Sequence, residues 1–335
     1  ILMDLKYILL IMGLVLLVVP SVALDGYAYS QSIAYTACDQ KMYQQDIVIH
    51  RTNGTNYEET VGGLNVWHIY AGDHCLEDYG DVRFTNSTGA ELVYYLWPDY
   101  DSSSARFAVR LEGADAAGAV TVHYGNPTAT TTSDGDATFP LIDNFDGTAL
   151  DTTKWGVAGT PTFADGAIKF YGTSCKIASK QTFTLGNYMI QLRFKNHARS
   201  GDYEGRIYSG FVPLANDGNG AVCFSTIPNP RLCSHYANHV SAWSSQIDTW
   251  YEGTILKSAD NKHTVSVGET TSISQTAIAG DTLYLGGAYV HSSVDWVIVR
   301  AYSAAPPAAT TFSGEQSSAA PPATAFTATP TAGLA

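Results

Sequence analysis

A two-residue alternation of apolar and polar positions is the dominant pattern along the chain. In ARFAVRL, Ala105, Phe107, Val109 and Leu111 fall on one side of an extended backbone, and Arg106 and Arg110 on the other. NYMIQLRFK repeats the pattern: Tyr188, Ile190, Leu192 and Phe194 form a buried face, opposed by Met189, Gln191, Arg193 and Lys195. In VTVHY the same rule turns Val120, Val122 and Tyr124 inward and His123 outward, so His123 is expected at solvent, just before a Gly125-Asn126-Pro127 turn. ELVYYLW is apolar on both faces, with Leu92, Tyr94 and Leu96 opposite Val93, Tyr95 and Trp97. The pattern favours a strand buried on both sides; the alternative makes Tyr95 and Trp97 an exposed platform.

Seven short runs of this kind lie between Tyr27 and Tyr124, separated by Gly, Asn, Asp and Ser clusters. A Thr-rich connector then leads to a second series of about nine runs ending at VDWVIVRAY, with hairpin-type turns at Asp165-Gly166 and at residues 258–262. No amphipathic helix interrupts either series. The spacing predicts an all-β protein of two tandem antiparallel β-sandwiches, one over residues 24–140 and one over 141–303. Residues 304–324, rich in Ala, Pro, Ser and Thr, read as an extended linker, and 325–335 as the opening of a further domain. Residues 1–23 carry a basic residue at Lys6, an apolar run and small residues ending at Ala23, the pattern of a secretory signal. A membrane anchor is the rival reading, but the apolar run is shorter than the ~20 residues that span a bilayer.

Thirty glycines, 21 tyrosines and only 15% charged residues agree with strands and turns. The formal net charge of -13 argues against nucleic acid, whose binding needs clustered Lys and Arg. Export implies a compartment in which disulfides persist. Cys223 and Cys233 flank a turn and are expected to face each other across adjacent strands; Cys38 and Cys75 would form a second pair, leaving Cys175 over. Asn53-Gly54-Thr55 and Asn86-Ser87-Thr88 are glycosylation sequons, which place Asn53 and Asn86 on the surface.

DVRFTNSTGAELVYYLW, ARFAVRLEG, VTVHYGNPTATTTSDGDATF and DNFDGTALDTTKW follow one another in an order that resembles the family called domain of unknown function 2341. The resemblance covers about residues 24–140, with Tyr27 and Tyr29 in a first strand that usually carries a tryptophan. The stretch from Leu141 to Ser303 is similar to a concanavalin A-like, laminin-G-type jelly roll, bracketed by Asp143–Gly147 and the strand around Trp296. That fold places its first and last strands side by side, so the resemblance implies Trp296 near Phe145. The tail TAFTATPTAGLA is similar to the start of a polycystic-kidney-disease (PKD)-type domain. Together these resemblances imply a modular, secreted or cell-surface protein of archaea or bacteria.

Jelly rolls of this shape include glycoside hydrolases, which need two opposed carboxylates. Within residues 141–303 the only acid pair at alternate spacing, Asp202 and Glu204, sits in a loop-like stretch without a third acid, and no Gly-x-Ser-x-Gly elbow is present. Catalysis is therefore not expected. Sugars stack on exposed aromatic rings while short polar side chains meet their hydroxyls. Tyr95, Trp97, Trp243, His239 and His291 are the candidates for such contacts, with Trp243 plugging a core as the plain alternative. No cofactor is expected. Ca2+ is the one ion to consider, because Asp134-Gly135-Asp136 offers oxygen ligands, although Asp-Gly-Asp is also ordinary turn chemistry. The expected partner is a carbohydrate or cell-envelope glycan, with other surface proteins next. The rival role is a structural spacer of the envelope.

Overall fold

The computed structural model describes residues 24–171, 175–183, 187–197, 206–210, 222–225, 231–233, 239–242, 246–257, 263–268, 270–273, 280–288 and 291–318. The expected signal, residues 1–23, and the expected domain start at 325–335 lie outside them, as do Asp202, Glu204 and Trp243.

The first half contributes β1 (Tyr29–Tyr35), β2 (Met42–His50), β3 (Tyr57–Val61), β4 (Leu64–Tyr70), β5 (Arg83–Asn86), β6 (Tyr94–Leu96), β7 (Ser104–Glu112) and β8 (Gly118–Tyr124). A single helical turn, α1 (Gly135–Thr138), is capped by the Asp134 carboxylate, which accepts from Ala137 N. The second module holds β9 (Leu141–Asp143), β10 (Trp155–Ala158), β11 (Thr162–Ala164), β12 (Ala167–Phe170), β13 (Lys176–Thr182), β14 (Tyr188–Asn196), β15 (Arg206–Gly210) and β16 (Val222–Ser225). It continues with β17 (Arg231–Cys233), β18 (His239–Ala242), β19 (Trp250–Lys257), β20 (His263–Val267), β21 (Thr270–Ile273), β22 (Thr282–Ala288) and β23 (Ser292–Ala301). Two further strands follow, β24 (Ala309–Phe312) and β25 (Gln316–Ser317).

Two pairs of sheets result. In the first module, β24-β1-β8-β5, with β25 also on β1, faces β3-β4-β2-β7-β6. In the second, β10-β13-β22-β15-β16-β17-β18 faces β11-β12-β23-β14-β19-β20-β21, with β9 beside β23. The all-β, two-sandwich fold expected from alternation is therefore present. One pairing departs from the antiparallel rule: β2 and β4 run parallel, because the tight Gly62-Gly63 hairpin inserts β3 outside β4. Both glycines have positive φ, as such a turn requires. Separate cores form around Phe84, Phe107 and Trp67 in one module and around Trp155, Leu192 and Phe194 in the other.

Four expectations are corrected. Of the expected linker, residues 304–324, the described part up to Ser318 is not simply a linker: β24 lies along the free edge of β1, with Ile33 opposite Phe312, and β25 continues the pairing. Composition misleads here because an edge strand is held by backbone bonds, such as Ser313 N to Ser32 O at 2.8 Å, and needs few apolar side chains. The second sandwich is thus inserted between β8 and β24 of the first. Secondly, Cys38 and Cys75 are free thiols. His74, next to Cys75, stacks on Tyr29 at one end of β1, whereas Cys38 lies beyond Tyr35 at the other, about 20 Å of strand away. Thirdly, His123 is buried: it occupies the outer face of its sheet, but Thr85 bonds it at 2.9 Å and Tyr27 packs on it. Finally, Trp296 does not approach Phe145. Phe145 packs with Trp155 inside the second core, whereas Val297 and Val299 take the inward positions of β23 and leave Trp296 on its outer face.

Candidate functional site

The outer face of the β23 sheet meets the first module. Ile298 packs with Trp97, Ala108, Phe139 and Ile142 in a small third core, with Tyr95 and Trp296 at its margin. A buried ion pair pins the same junction. Asp46 Oδ2 accepts from Arg300 Nη1 and from Arg106 Nη2, both at 2.9 Å, and neither Asp46 nor the Arg300 side chain touches solvent. Burial pushes the Asp46 carboxyl up, but the two guanidinium groups outweigh it and hold the group below its ordinary value. Gln44 adds two bonds, accepting from Ala301 N at 2.8 Å and donating to Thr138 O at 3.2 Å.

Beside this contact the modules separate into a cleft of about 540 Å³. Its first wall comes from the short strand β6. Tyr95 and Trp97 share the face of β6 turned away from the first core, where Tyr95 is half-buried and Trp97 is 8% exposed. Gly135 of α1 lies so close behind Tyr95 that an added Cβ would meet its ring at 3.2 Å, which fixes the ring's position. Trp97 meets Tyr95 edge-on at 5.6 Å and Trp296 edge-on at 5.7 Å, so three rings line one corner. Desolvation raises the Tyr95 hydroxyl above its ordinary pKa, reinforced by Asp146 and Asp99.

The second wall is the outer face of β14, β19 and β23. Register sets Arg193 opposite both Trp296 and Glu252, and Gln191 opposite Ile298. Arg193 is held by Asp295 at 2.5 Å and lies over Trp250 at 5.1 Å. Arg106 is fixed at both ends, its guanidinium lying over the Trp97 ring at 4.8 Å while it bonds Asp46. The cleft therefore presents aromatic rings together with guanidinium, amide and carboxylate groups whose orientations are set by bonds behind them. That combination suits a ligand with an apolar face and a rim of hydroxyls.

Of the candidate sugar-contact residues, Tyr95 and Trp97 come together. Trp97 is buried in the small third core and Tyr95 is half-buried at its margin, so the second module covers them and they do not form an open platform. His291 is exposed elsewhere, edge-on to Tyr171 at 4.2 Å. His239 begins strand β18 rather than lying in a loop, with Cys233 as its cross-strand partner. Cys223 and Cys233 stand opposite each other on β16 and β17, as the turn between them implied. Cys175 is buried in the second core, where desolvation raises its thiol pKa. Asn53 is exposed, whereas Asn86 is half-buried and its Oδ1 accepts from Thr88 and Ala90 within a turn.

Asp134 is committed to the α1 cap and Asp136 pairs with Lys154 at 2.6 Å. Among the described residues no group of three or more His, Cys, Asp or Glu converges on a point that would hold a metal. Sequence reasoning missed Trp296, Arg106, Arg193 and Asp295. The signal for Trp296 was available: with Val297 and Val299 inward, Trp296 and Ile298 make an apolar outer face that must be covered.

The segment from the loop before β5 to the end of β10 carries the first wall and part of the junction, which Asp46 of β2 and Ile298 and Arg300 of β23 complete. Residues 78–158 match the family described as Domain of unknown function (DUF2341). The match crosses from the first sandwich into the second, past the boundary at 140. No curated protein matches the chain. Solved structures similar to it include a glycosyl hydrolase family protein from Mycobacterium fortuitum, at 14% identity and TM-score 0.35, covering 48% of this chain and 99% of that one. The Bacillus licheniformis beta-glucanase is similar at 12% identity and TM-score 0.34, covering 48% and 97%. The carbohydrate recognition domain of Emp47p is similar at 11% identity and TM-score 0.37, covering 48% and 94%. These likenesses concern the fold only.

Proposed function

We propose that the chain is an extracellular, non-catalytic carbohydrate-binding protein whose cleft between the sandwiches receives a glycan of a cell envelope. The observation that carries this reading is the corner formed by Tyr95, Trp97 and Trp296 facing polar groups held by Arg106, Arg193 and Asp295. The C–H face of a pyranose stacks on such rings, and fixed amide, guanidinium and carboxylate groups take its hydroxyls. The secretory pattern of residues 1–23 and the sequons at Asn53 and Asn86 support the extracellular setting. The test is a glycan array with the intact chain beside Trp296→Ala. A signal for specific glycans that Trp296→Ala removes supports the reading; hydrolysis of a bound polysaccharide, abolished by changing one acid, contradicts it.

One observation favours a second reading. The insertion of one sandwich into the other and the buried Asp46–Arg300 pair lock the modules together, as a rigid spacer of an envelope would require. Silence on every glycan, with self-association visible by electron microscopy, is the outcome that reading expects.

A further inference from the structure

The first module holds a second cavity, of about 660 Å³, on the side where β24 and β25 return. Its walls come from three stretches far apart in sequence: the loop Asn53–Asn56, the segment Tyr70–His74 and the returning strands Thr310–Glu315. Its floor is a continuous hydrogen-bonded relay. Tyr70 N donates to Asn56 Oδ1 at 2.9 Å, Asn56 Nδ2 to Gln31 Oε1 at 2.6 Å, Gln31 Nε2 to the Tyr124 hydroxyl at 2.7 Å, and that hydroxyl to Glu315 Oε2 at 2.7 Å. His74 Nδ1 meets the same carboxylate oxygen at 3.0 Å, its ring stacked flat on Tyr29 at 4.0 Å.

This relay fixes the rotamers of the groups that face the cavity before anything binds. Gln31 and Tyr124 are buried, so their bonds are protected from water. The loop wall is equally constrained: a Cβ on Gly54 would stand 2.4 Å from the Tyr70 ring, so the backbone there lies flat against that side chain. Asn53 and Thr55 also line the cavity, outside the relay.

We infer that this cavity is a second carbohydrate site, selective for an uncharged sugar unit. Its lining contains no Lys or Arg, and its one histidine, His74, is already held by Glu315, so phosphate, sulfate and carboxylate groups find no unpaired cation and Glu315 repels them. Its amides and hydroxyls donate and accept, and the Glu315 carboxylate accepts, which matches the hydroxyls of a neutral sugar. The volume falls within the range of small-ligand pockets, about 300–1,000 Å³. The site exists only because the chain returns after the inserted sandwich, since Glu315 and the Thr310–Ser313 wall belong to that return.

The test is saturation-transfer NMR on the intact chain, produced in a host that leaves Asn53 unmodified. The probes are the methyl glycosides of glucose, galactose and mannose and N-acetylglucosamine, with sialic acid and glucosamine as charged comparisons. Thr311 is exposed on β24, so Thr311→Trp fills the cavity while a thermal melt checks that the fold is kept. Glu315→Gln keeps the size of the side chain and removes its charge. The expected result is transfer to at least one neutral sugar that Thr311→Trp abolishes, that Glu315→Gln weakens about tenfold, and that Trp296→Ala in the other cleft leaves in place. No transfer to any neutral sugar, transfer that survives Thr311→Trp, or preference for a charged probe would overturn the inference. Loss confined to Trp296→Ala would assign all binding to the cleft between the modules and would equally overturn it.

Discussion

His123 and Asp46 show how single residues tie this fold to pH. Burial holds the His123 imidazole down at about 4, so on acidification the unfolded chain, with its histidine near 6.5, takes up a proton first. The stability contributed by neutral His123 is whole above pH ~6.5 and is lost as pH falls towards ~4, about 3 kcal/mol over that window. Denaturation at several pH values should show a shallower slope between pH 6.5 and 4 for His123→Gln than for the parent. Equal slopes would place the dependence on other groups. Asp46 acts lower on the scale. Its folded pKa lies below the unfolded value, so its contribution is present above pH ~4 and disappears as pH falls through the folded value. Asp46→Asn leaves the buried Arg300 without its counter-charge and should cost about 3–5 kcal/mol in urea unfolding at neutral pH. A loss below about 0.5 kcal/mol would mean that the pair does not hold the modules together.

At the scale of strands, the inward faces were legible because alternation needs only a single buried side. Val120, Val122 and Tyr124 are sealed in the core, as are Ile190, Leu192 and Phe194. The outward faces were not, since what covers them comes from elsewhere in the chain. His123 read as solvent-facing, yet Tyr27 and Thr85 bury it. Tyr95 and Trp97 were selected correctly as chemistry-bearing residues, but their partner Trp296 lies some 200 positions away and no local pattern links them. The return strand β24 was the least legible element. Thr310 and Thr311 carry almost no apolar signal, and the strand is defined by a free edge that only the folded β1 supplies. Ending the chain after Ser303 removes β24 and β25 and should lower the melting temperature markedly, with proteolysis starting in β1. An unchanged melt would show that the edge is closed by something else.

At the scale of the whole molecule, the chain is one sandwich interrupted by another, with its charged lock and its aromatic cleft at their junction. Residues 78–158 span that junction, so the match to a family of unknown function falls on the segment that builds the first wall of the cleft. The candidate site was half legible from sequence: the aromatic residues of β6 were visible, whereas a site shared between modules depends on a docking angle that sequence does not encode. Binding and rigidity follow from the same contact, because Arg106 lies over Trp97 while it closes the Asp46 pair. Titration calorimetry of the intact chain with a glycan selected on the array, repeated with Trp296→Ala and Trp97→Ala, tests the central claim most directly. The account predicts at least a tenfold loss of affinity for each variant, about 1.4 kcal/mol, with the fold retained. Affinity unchanged in both folded variants would contradict it.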